Sequence, residues 1–573
     1  MILSNNSNHL NIENKLRYSL AKVILAKDAN GHISVKDILS DIHKAFNEEL
    51  YPWISLEIKK RIRDLLDQKE EQWFTQEELK RSFLNSSPEV ALSSIFREID
   101  IDFSDIDLDQ NPDNIADITQ QANEAKNYNV PNEYNGTIWV LIDNDWNIVA
   151  NPKIIEVLQN NLWLDLSDRK QINNLLKYAP WNWYETFRKT IELLITYEEQ
   201  YYNWENPQAA ISRPFIIPGW VWGLTLSLKY FLREYDLVVV PEYRRPNIDG
   251  IVMDTTKVPV CEVNMMNDKW NIELQNIENI LDTALLQRRK NVSLYLNFPN
   301  NPTGTRFWES DAKKLNDLLS KYDTLNIQII LDDPYWAFST DSEGKIVTPL
   351  SYYINTQDNK HITLIELGSH GTKEAWAYWL RTSVLRIFTH DENLKKMEEK
   401  ISKAIRKTFS MSNSINQVIM SKAIMWSDID VFDDHNLDNL SQEDINKRVW
   451  KYIKAREKML DVIYPKLDDF RDSIINTCGK YLNHMDNKVD WVSETWGFFQ
   501  CFSLTDYAKQ SNLNLDELRK ICISASDNDK CSFAVFKNSL SWDLVIRISL
   551  VSWSVEEFSR RLYKWISTLI HEV

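Results

Sequence analysis

Along residues 12–100 apolar positions recur every three or four residues. NIENKLRYSLAKVILAK, VKDILSDIHKAF and LEIKKRIRDLLDQ each gather an apolar stripe on one side of a helix. Thr75 precedes QEELKRSF and Glu78 follows three residues later, the hydroxyl and acid of a capping box. Residues 101–135 are acidic and rich in Asn, Asp and Gln, and read as a linker or long surface loop. From near residue 136 the period changes. YDLVVVPEY (235–243), VSLYLNFP (292–299), IQIILDDPY (327–335) and ITLIEL (362–367) are short, nearly continuous apolar runs, as expected of parallel strands covered on both faces. Helical patterns lie between them, among them WVWGLTLSLKYFLRE (220–234) and ESDAKKLNDLLSKY (309–322), and the alternation predicts an α/β sheet. A long helical stretch at 391–425, an acidic loop at 427–445, a helix over 446–465 and a mixed α+β tail complete the chain, with no internal repeat.

Polar residues interrupt the apolar runs just past their C-terminal ends, the edge at which open α/β sheets bind ligands. NFPNNPTG (297–304) is a tight Asn- and Pro-built loop that presents Asn301. LDDPYWAF (331–338) puts Asp332 at the end of a buried run, a costly place for an unpaired carboxylate, with Tyr335 three residues on. GSHGTKEAW (368–376) follows ITLIEL and presents Lys373, with Arg381 eight residues later. Taken singly, these read equally well as a turn, a helix cap and a solvated lysine.

In this order, Asn301, Asp332, Tyr335, Lys373 and Arg381 resemble the pyridoxal-phosphate (PLP) dependent aminotransferases of fold type I, class I and II, over roughly three-quarters of the chain. The resemblance implies a large domain with a mainly parallel sheet, a small α+β C-terminal domain and, here, an extra helical N-terminal domain. The expected boundaries are 1–130 for the helical accessory domain and linker, 131–180 for the N-terminal segment of the small domain, 181–394 for the large domain and 395–573 for the small one. It implies that Lys373 forms the Schiff base with PLP and shuttles the substrate's α-proton, and that Asp332 pairs with the ring nitrogen. Tyr335 and Asn301 would hold the phenolic oxygen, and Arg381 the phosphate. Gly219, Trp220 and Val221 resemble the helix-start donors to that phosphate, with Ser369, His370 and Thr372 as further candidates. Tyr243 resembles the aromatic that stacks on the ring, and Tyr178 the residue reaching the phosphate of a neighbouring subunit. Arg547, in VIRISL, resembles the grip on the substrate α-carboxylate. Trp183 and Trp379 replace family glycines, and VLIDNDWN (140–147) replaces the N-terminal site glycine region. The expected function is amino transfer from an α-amino acid. Lyase, decarboxylase or oxidase chemistry on the same scaffold, a PLP-binding transcription regulator and a PLP-free scaffold are the alternatives.

Composition narrows these. A chain of 573 residues divides into two to four domains. A net charge of −17 disfavours nucleic acid and anionic membrane as partners. The N-terminal 130 residues hold about 15 Lys and Arg against about 23 Asp and Glu, the wrong balance for DNA. Five cysteines at no metal-ligand spacing fit a reducing compartment. No signal pattern opens the chain and no apolar run reaches a membrane span, so the expectation is a soluble, cytoplasmic protein without a metal, and the resemblance, through Tyr178, implies a homodimer or higher homo-oligomer.

Overall fold

The computed structural model describes residues 151–164, 184–231 and, with short gaps, 237–474, together with strands at 32–34, 73–75, 499–503, 534–537 and 544–549. The two N-terminal strands, β1 (His32–Ser34) and β2 (Trp73–Thr75), pair antiparallel with Ile33 opposite Phe74. They correct the wholly helical reading of residues 12–100. Their register also brings out a weak sequence repeat that periodicity alone hid. Ser34-Val-Lys-Asp37 follows β1 and Thr75-Gln-Glu-Glu78 follows β2, each a hydroxyl three residues before an acid.

Helix α1 (Pro152–Gln159) begins at Asn151, whose side chain accepts from the Lys153 backbone N–H. Next come α2 (Glu185–Tyr201), β3 (Ala210–Ile211), β4 (Phe215–Ile217), α3 (Trp220–Phe231), β5 (Leu237–Pro241), β6 (Val260–Val263) and α4 (Gln275–Leu286). Then follow β7 (Asn291–Asn297), α5 (Glu309–Ser320), β8 (Asn326–Asp332), β9 (Ile362–Leu367) and β10 (Ser383–Thr389). The four apolar runs read from sequence are β5, β7, β8 and β9. In the sheet β6, β5, β7, β8 and β9 lie side by side and parallel, while β10 pairs antiparallel with β9 and carries β3 and β4 on its far edge. The strands are buried almost throughout because helices cover both faces, and β10, for one, shows no exposed position.

The 391–425 stretch is two helices, α6 (Asp391–Thr408) and α7 (Ser414–Met425), the second started by the Asn413 side chain accepting from the Ile415 N–H. The long α8 (Gln442–Ile474) packs against α7 and α2. A separate antiparallel sheet has the order β11 (Phe499–Ser503), β13 (Leu544–Ser549), β12 (Ala534–Lys537). No helix among the described residues is long and apolar enough to cross a membrane.

Candidate active site

The parallel register sets the site. Asn297, Asp332 and Leu367 are neighbours across β7, β8 and β9, so three C-terminal strand ends finish on one line. The loops that follow are the three polar segments singled out in the sequence. Asn297 Nδ2 donates to the Asp332 carbonyl at 2.8 Å, and Asn300 Nδ2 donates to the Tyr243 carbonyl at 2.9 Å. The NFPNNPTG loop is thereby tied to both neighbouring strand ends. Asn301 is buried beside them, its N–H donating to Asn297 Oδ1. Gly368 opens the lysine loop with φ of 98°, and a Cβ there would come within 3.1 Å of Pro334. Only glycine meets both conditions, and its smallness lets the Lys373 and Asp332 loops touch.

Lys373 Nζ lies 3.2 Å from the Tyr335 hydroxyl and 4.4 Å above its ring. Burial, then Arg245 and Arg381, pulls the lysine amine well below its ordinary range, with Asp332 pulling the other way. Asp332 is buried at the end of β8. Its Oδ2 accepts from the Tyr295 hydroxyl at 2.7 Å and lies 3.7 Å from Arg245 Nε, while Oδ1 has no hydrogen-bond partner. A buried carboxyl oxygen without a hydrogen-bond partner is a place for a protonated ring nitrogen. Burial raises the Tyr295 phenol far above its usual range, with Asp332 adding to the rise, so Tyr295 remains a donor.

The phosphate side is built differently from expectation. The Gly219 N–H donates to the Ile217 carbonyl at 2.8 Å, so Gly219 serves the turn into α3 rather than as a donor. Trp220 and Val221 start the helix, where first-turn N–H groups have no intrahelical acceptor. The Arg381 carbonyl lies 4.0 Å from the Cβ position of Gly219, which brings that residue to the same place, and Arg381 is exposed. The side chains of Ser369, His370 and Thr372 all turn elsewhere. Ser369 Oγ donates to Glu366, the His370 ring meets Glu198 at 2.8 Å, and Thr372 Oγ1 donates to the Thr382 carbonyl. Tyr243 is buried at the loop after β5. Tyr178, Trp183, Trp379 and residues 140–147 lie outside the described residues, as does the side chain of Arg547. The backbone of Arg547 sits opposite Cys501, whose Sγ donates to the Pro302 carbonyl at 3.0 Å, so β11 and β13 approach the Asn301 loop.

Sequence reading missed a buried polar cluster behind the lysine. Arg456 of α8 lies 2.7 Å from Glu198 of α2 and 3.6 Å from Glu374, the residue after Lys373. Glu374 also accepts from Trp336 Nε1 and from the His370 N–H. Burial pushes Glu374 up to about 7 although His370 and Arg456 oppose it, whereas Glu198, which burial also pushes up, is held below the ordinary carboxylate range by Arg456 and His370.

Glu242, before Tyr243, is a second raised acid. Burial drives it up to about 7, against backbone N–H donors from Met265 and Met266 at 2.8 and 2.9 Å. The folded chain then holds a proton that the unfolded chain releases near pH 4.5, so stability falls as pH rises from there towards 7. In Glu242→Gln that fall, measured by denaturant unfolding at pH 5 and pH 7, is expected to shrink by on the order of 2–3 kcal/mol. An unchanged pH slope would contradict the assignment.

Residues 150–373 match the family model of aminotransferase class I and II. No curated protein matches the sequence. Among solved structures, an aminotransferase from Anaerococcus prevotii shares 16% identity and a TM-score of 0.59, over 82% of this chain and 98% of that one. Kynurenine aminotransferase from Pyrococcus horikoshii, solved with pyridoxamine phosphate, shares 15% and 0.56, over 83% and 98%. Aspartate aminotransferase from Thermus thermophilus, solved with maleate, shares 13% and 0.52, over 80% and 96%. These likenesses show the fold, and the family match falls on the segment that ends at the lysine. Residues 150–373 are therefore similar to the class I and II aminotransferases, and the fold is the one those solved aminotransferases share.

Proposed function

We propose that this chain moves the amino group of an α-amino acid to a keto acid, with Lys373 holding the cofactor covalently. The observation that carries the reading is the pairing of Lys373 Nζ with Tyr335 at one strand end and the unpartnered Asp332 Oδ1 at the next. PLP would be held by Lys373, by Asp332 at its ring nitrogen, by Tyr335 and Asn301 at its phenolic oxygen, and by Trp220, Val221 and Arg381 at its phosphate. When bound it supplies an aldehyde that links to amines and a ring that accepts an electron pair.

The chain's own groups do the rest. Lys373, neutral in its buried setting, accepts a proton from the substrate's Cα at Nζ and gives it back, and general acid–base help of this kind contributes about 10²–10⁴-fold. Tyr335 O–H hydrogen-bonds the lysine and keeps Nζ in place. Asp332, fixed by Tyr295, presents its carboxyl at the base of the site. Arg547 binds the substrate carboxylate. The acidic composition and the buried Cys261 and Cys501 thiols, neither of them in a disulfide, support a cytoplasmic setting. The family's shared-site arrangement through Tyr178 supports a homodimer.

Purified full-length protein, given PLP and one amino acid at a time, should lose the absorbance of its lysine-bound cofactor with the right amino acid and regain it on adding a keto acid. Release of carbon dioxide, ammonia or hydrogen peroxide without that regain would overturn amino transfer in favour of decarboxylase, lyase or oxidase chemistry.

A further inference from the structure

Arg245, two residues past Tyr243, carries a guanidinium that the proposed function assigns no role, and its setting is specific. The residue is buried, with Cζ 4.2 Å from the Trp220 ring centroid and 5.4 Å from that of Tyr335. Nη2 donates to the Tyr335 hydroxyl at 3.3 Å, and Nε lies 3.7 Å from Asp332 Oδ2 without a hydrogen-bond partner. The Tyr335 oxygen therefore faces two basic groups, the Arg245 guanidinium on one side and the Lys373 amine on the other.

We propose that Arg245 is a positioning residue for the lysine chemistry: a fixed cation that acts through Tyr335 and across the pocket to keep Lys373 as a neutral amine. The inference rests on Lys373 being the cofactor lysine. An arginine cannot give up its proton at working pH, so when two cations share one acceptor the lysine is the one that yields. A neutral amine is the form that attacks an aldehyde and takes up a proton. The groups facing Lys373 are Asp332 at the end of β8 with Tyr295 of β7 behind it, Tyr335 in the same loop as Asp332, Arg245 after β5, and Arg381 ahead of β10. Of these groups, Asp332 favours the ammonium form. It is shared with Tyr295 and Arg245, which spend part of its charge, and Arg381 is exposed to solvent that screens it. Arg245 is thus the buried cation positioned to tip the balance. Its aromatic support explains an otherwise odd residue, Trp220, at the helix start: the indole face accepts the guanidinium plane that an aliphatic side chain would not.

The test reads the lysine itself. Cofactor-free full-length protein is labelled with acetic anhydride across a pH series, and the Lys373 peptide is quantified by mass spectrometry. Arg245→Gln should move the labelling midpoint up by about one unit or more, an approximately tenfold drop in neutral amine at pH 7, and should slow uptake of PLP at pH 7 by a similar factor. Arg245→Lys keeps the charge without the planar fork and should hold the wild-type midpoint. A merely structural role would weaken folding or PLP affinity without moving the midpoint. The proposal is overturned if Arg245→Gln titrates like wild type, or if Arg245→Lys shifts as far as Arg245→Gln. Wild-type protein that takes up no PLP at Lys373 would instead sink the functional reading, leaving the midpoints to judge Arg245 alone.

Discussion

Lys373→Ala is expected to remove the covalent link to PLP and to cut turnover by at least about 10²–10⁴-fold, the share usually supplied by a positioned acid–base. The loss of nucleophile adds to that. Borohydride reduction should trap the cofactor on wild-type protein and none on the variant. Folding should survive. The lysine is half-buried, and it folds as a base whose native pKa lies well below its ordinary value. At neutral pH the unfolded lysine binds a proton that the native one lacks, so this amine opposes folding there and stability contributed by the site rises only as pH climbs towards the ordinary lysine range. Its removal should leave thermal unfolding of the cofactor-free protein unchanged or slightly raised. Trapping of PLP on the variant at wild-type yield would rule out Lys373 as the linking residue.

Much of this site was legible because two patterns coincide. A parallel strand covered on both faces reads as an unbroken apolar run, and its end is marked where polarity returns. Asp332 in IILDDPY and Lys373 after ITLIEL stand at such returns, and the parallel register turns four separate runs into one edge. The direction of β10 was not legible, because SVLRIFT is as apolar as its parallel neighbours and nothing in a fully buried strand encodes which way it runs. The β1–β2 pair was hidden for a different reason: three-residue strands are too short for a period of two to show among helical repeats.

The residues that shape the site from behind were the least legible. Tyr295 looks like one more member of an apolar strand, yet its hydroxyl fixes Asp332 from the neighbouring strand. Asn297 and Asn300 brace the loop, while the sequence drew attention to Asn301 between them. Arg245 follows another arginine in PEYRRP and reads as surface charge, although burial and Trp220 make it part of the pocket. Ser369, His370 and Thr372 have the composition of phosphate ligands, but the Ser369 and Thr372 hydroxyls and His370 Nε2 are each spent on a neighbour in the protein. Residue type marks what a side chain can do. Rotamer and partner decide what it does, and partners 172 residues apart, as His370 and Glu198 are, leave no local trace.

Arg456→Met is expected to cost stability on the order of 3–5 kcal/mol, the range seen when one member of a buried ion pair is deleted. Arg456 belongs to the charged helix α8, KYIKAREKML, and in sequence passes for a solvent-facing residue. In the fold its side chain is fully buried, 2.7 Å from Glu198 and within reach of Glu374, with Nη2 donating to the Tyr202 hydroxyl at 3.3 Å. Removing it leaves Glu198 buried with His370 as its remaining ion-pair partner among the described residues, and Glu198 then gains a proton rather than stay charged. Double-mutant cycles separate pairing from packing. Glu198→Gln combined with Arg456→Met should recover a substantial part of the single-variant loss, because no uncompensated charge remains. The loss should also reach the chemistry, since Glu374 follows Lys373 directly and is anchored by the same arginine: PLP affinity is expected to fall in the single variant and partly return in the double. Denaturant unfolding of Arg456→Met within about 1 kcal/mol of wild type would show that the cluster is not holding α2, α8 and the lysine loop together.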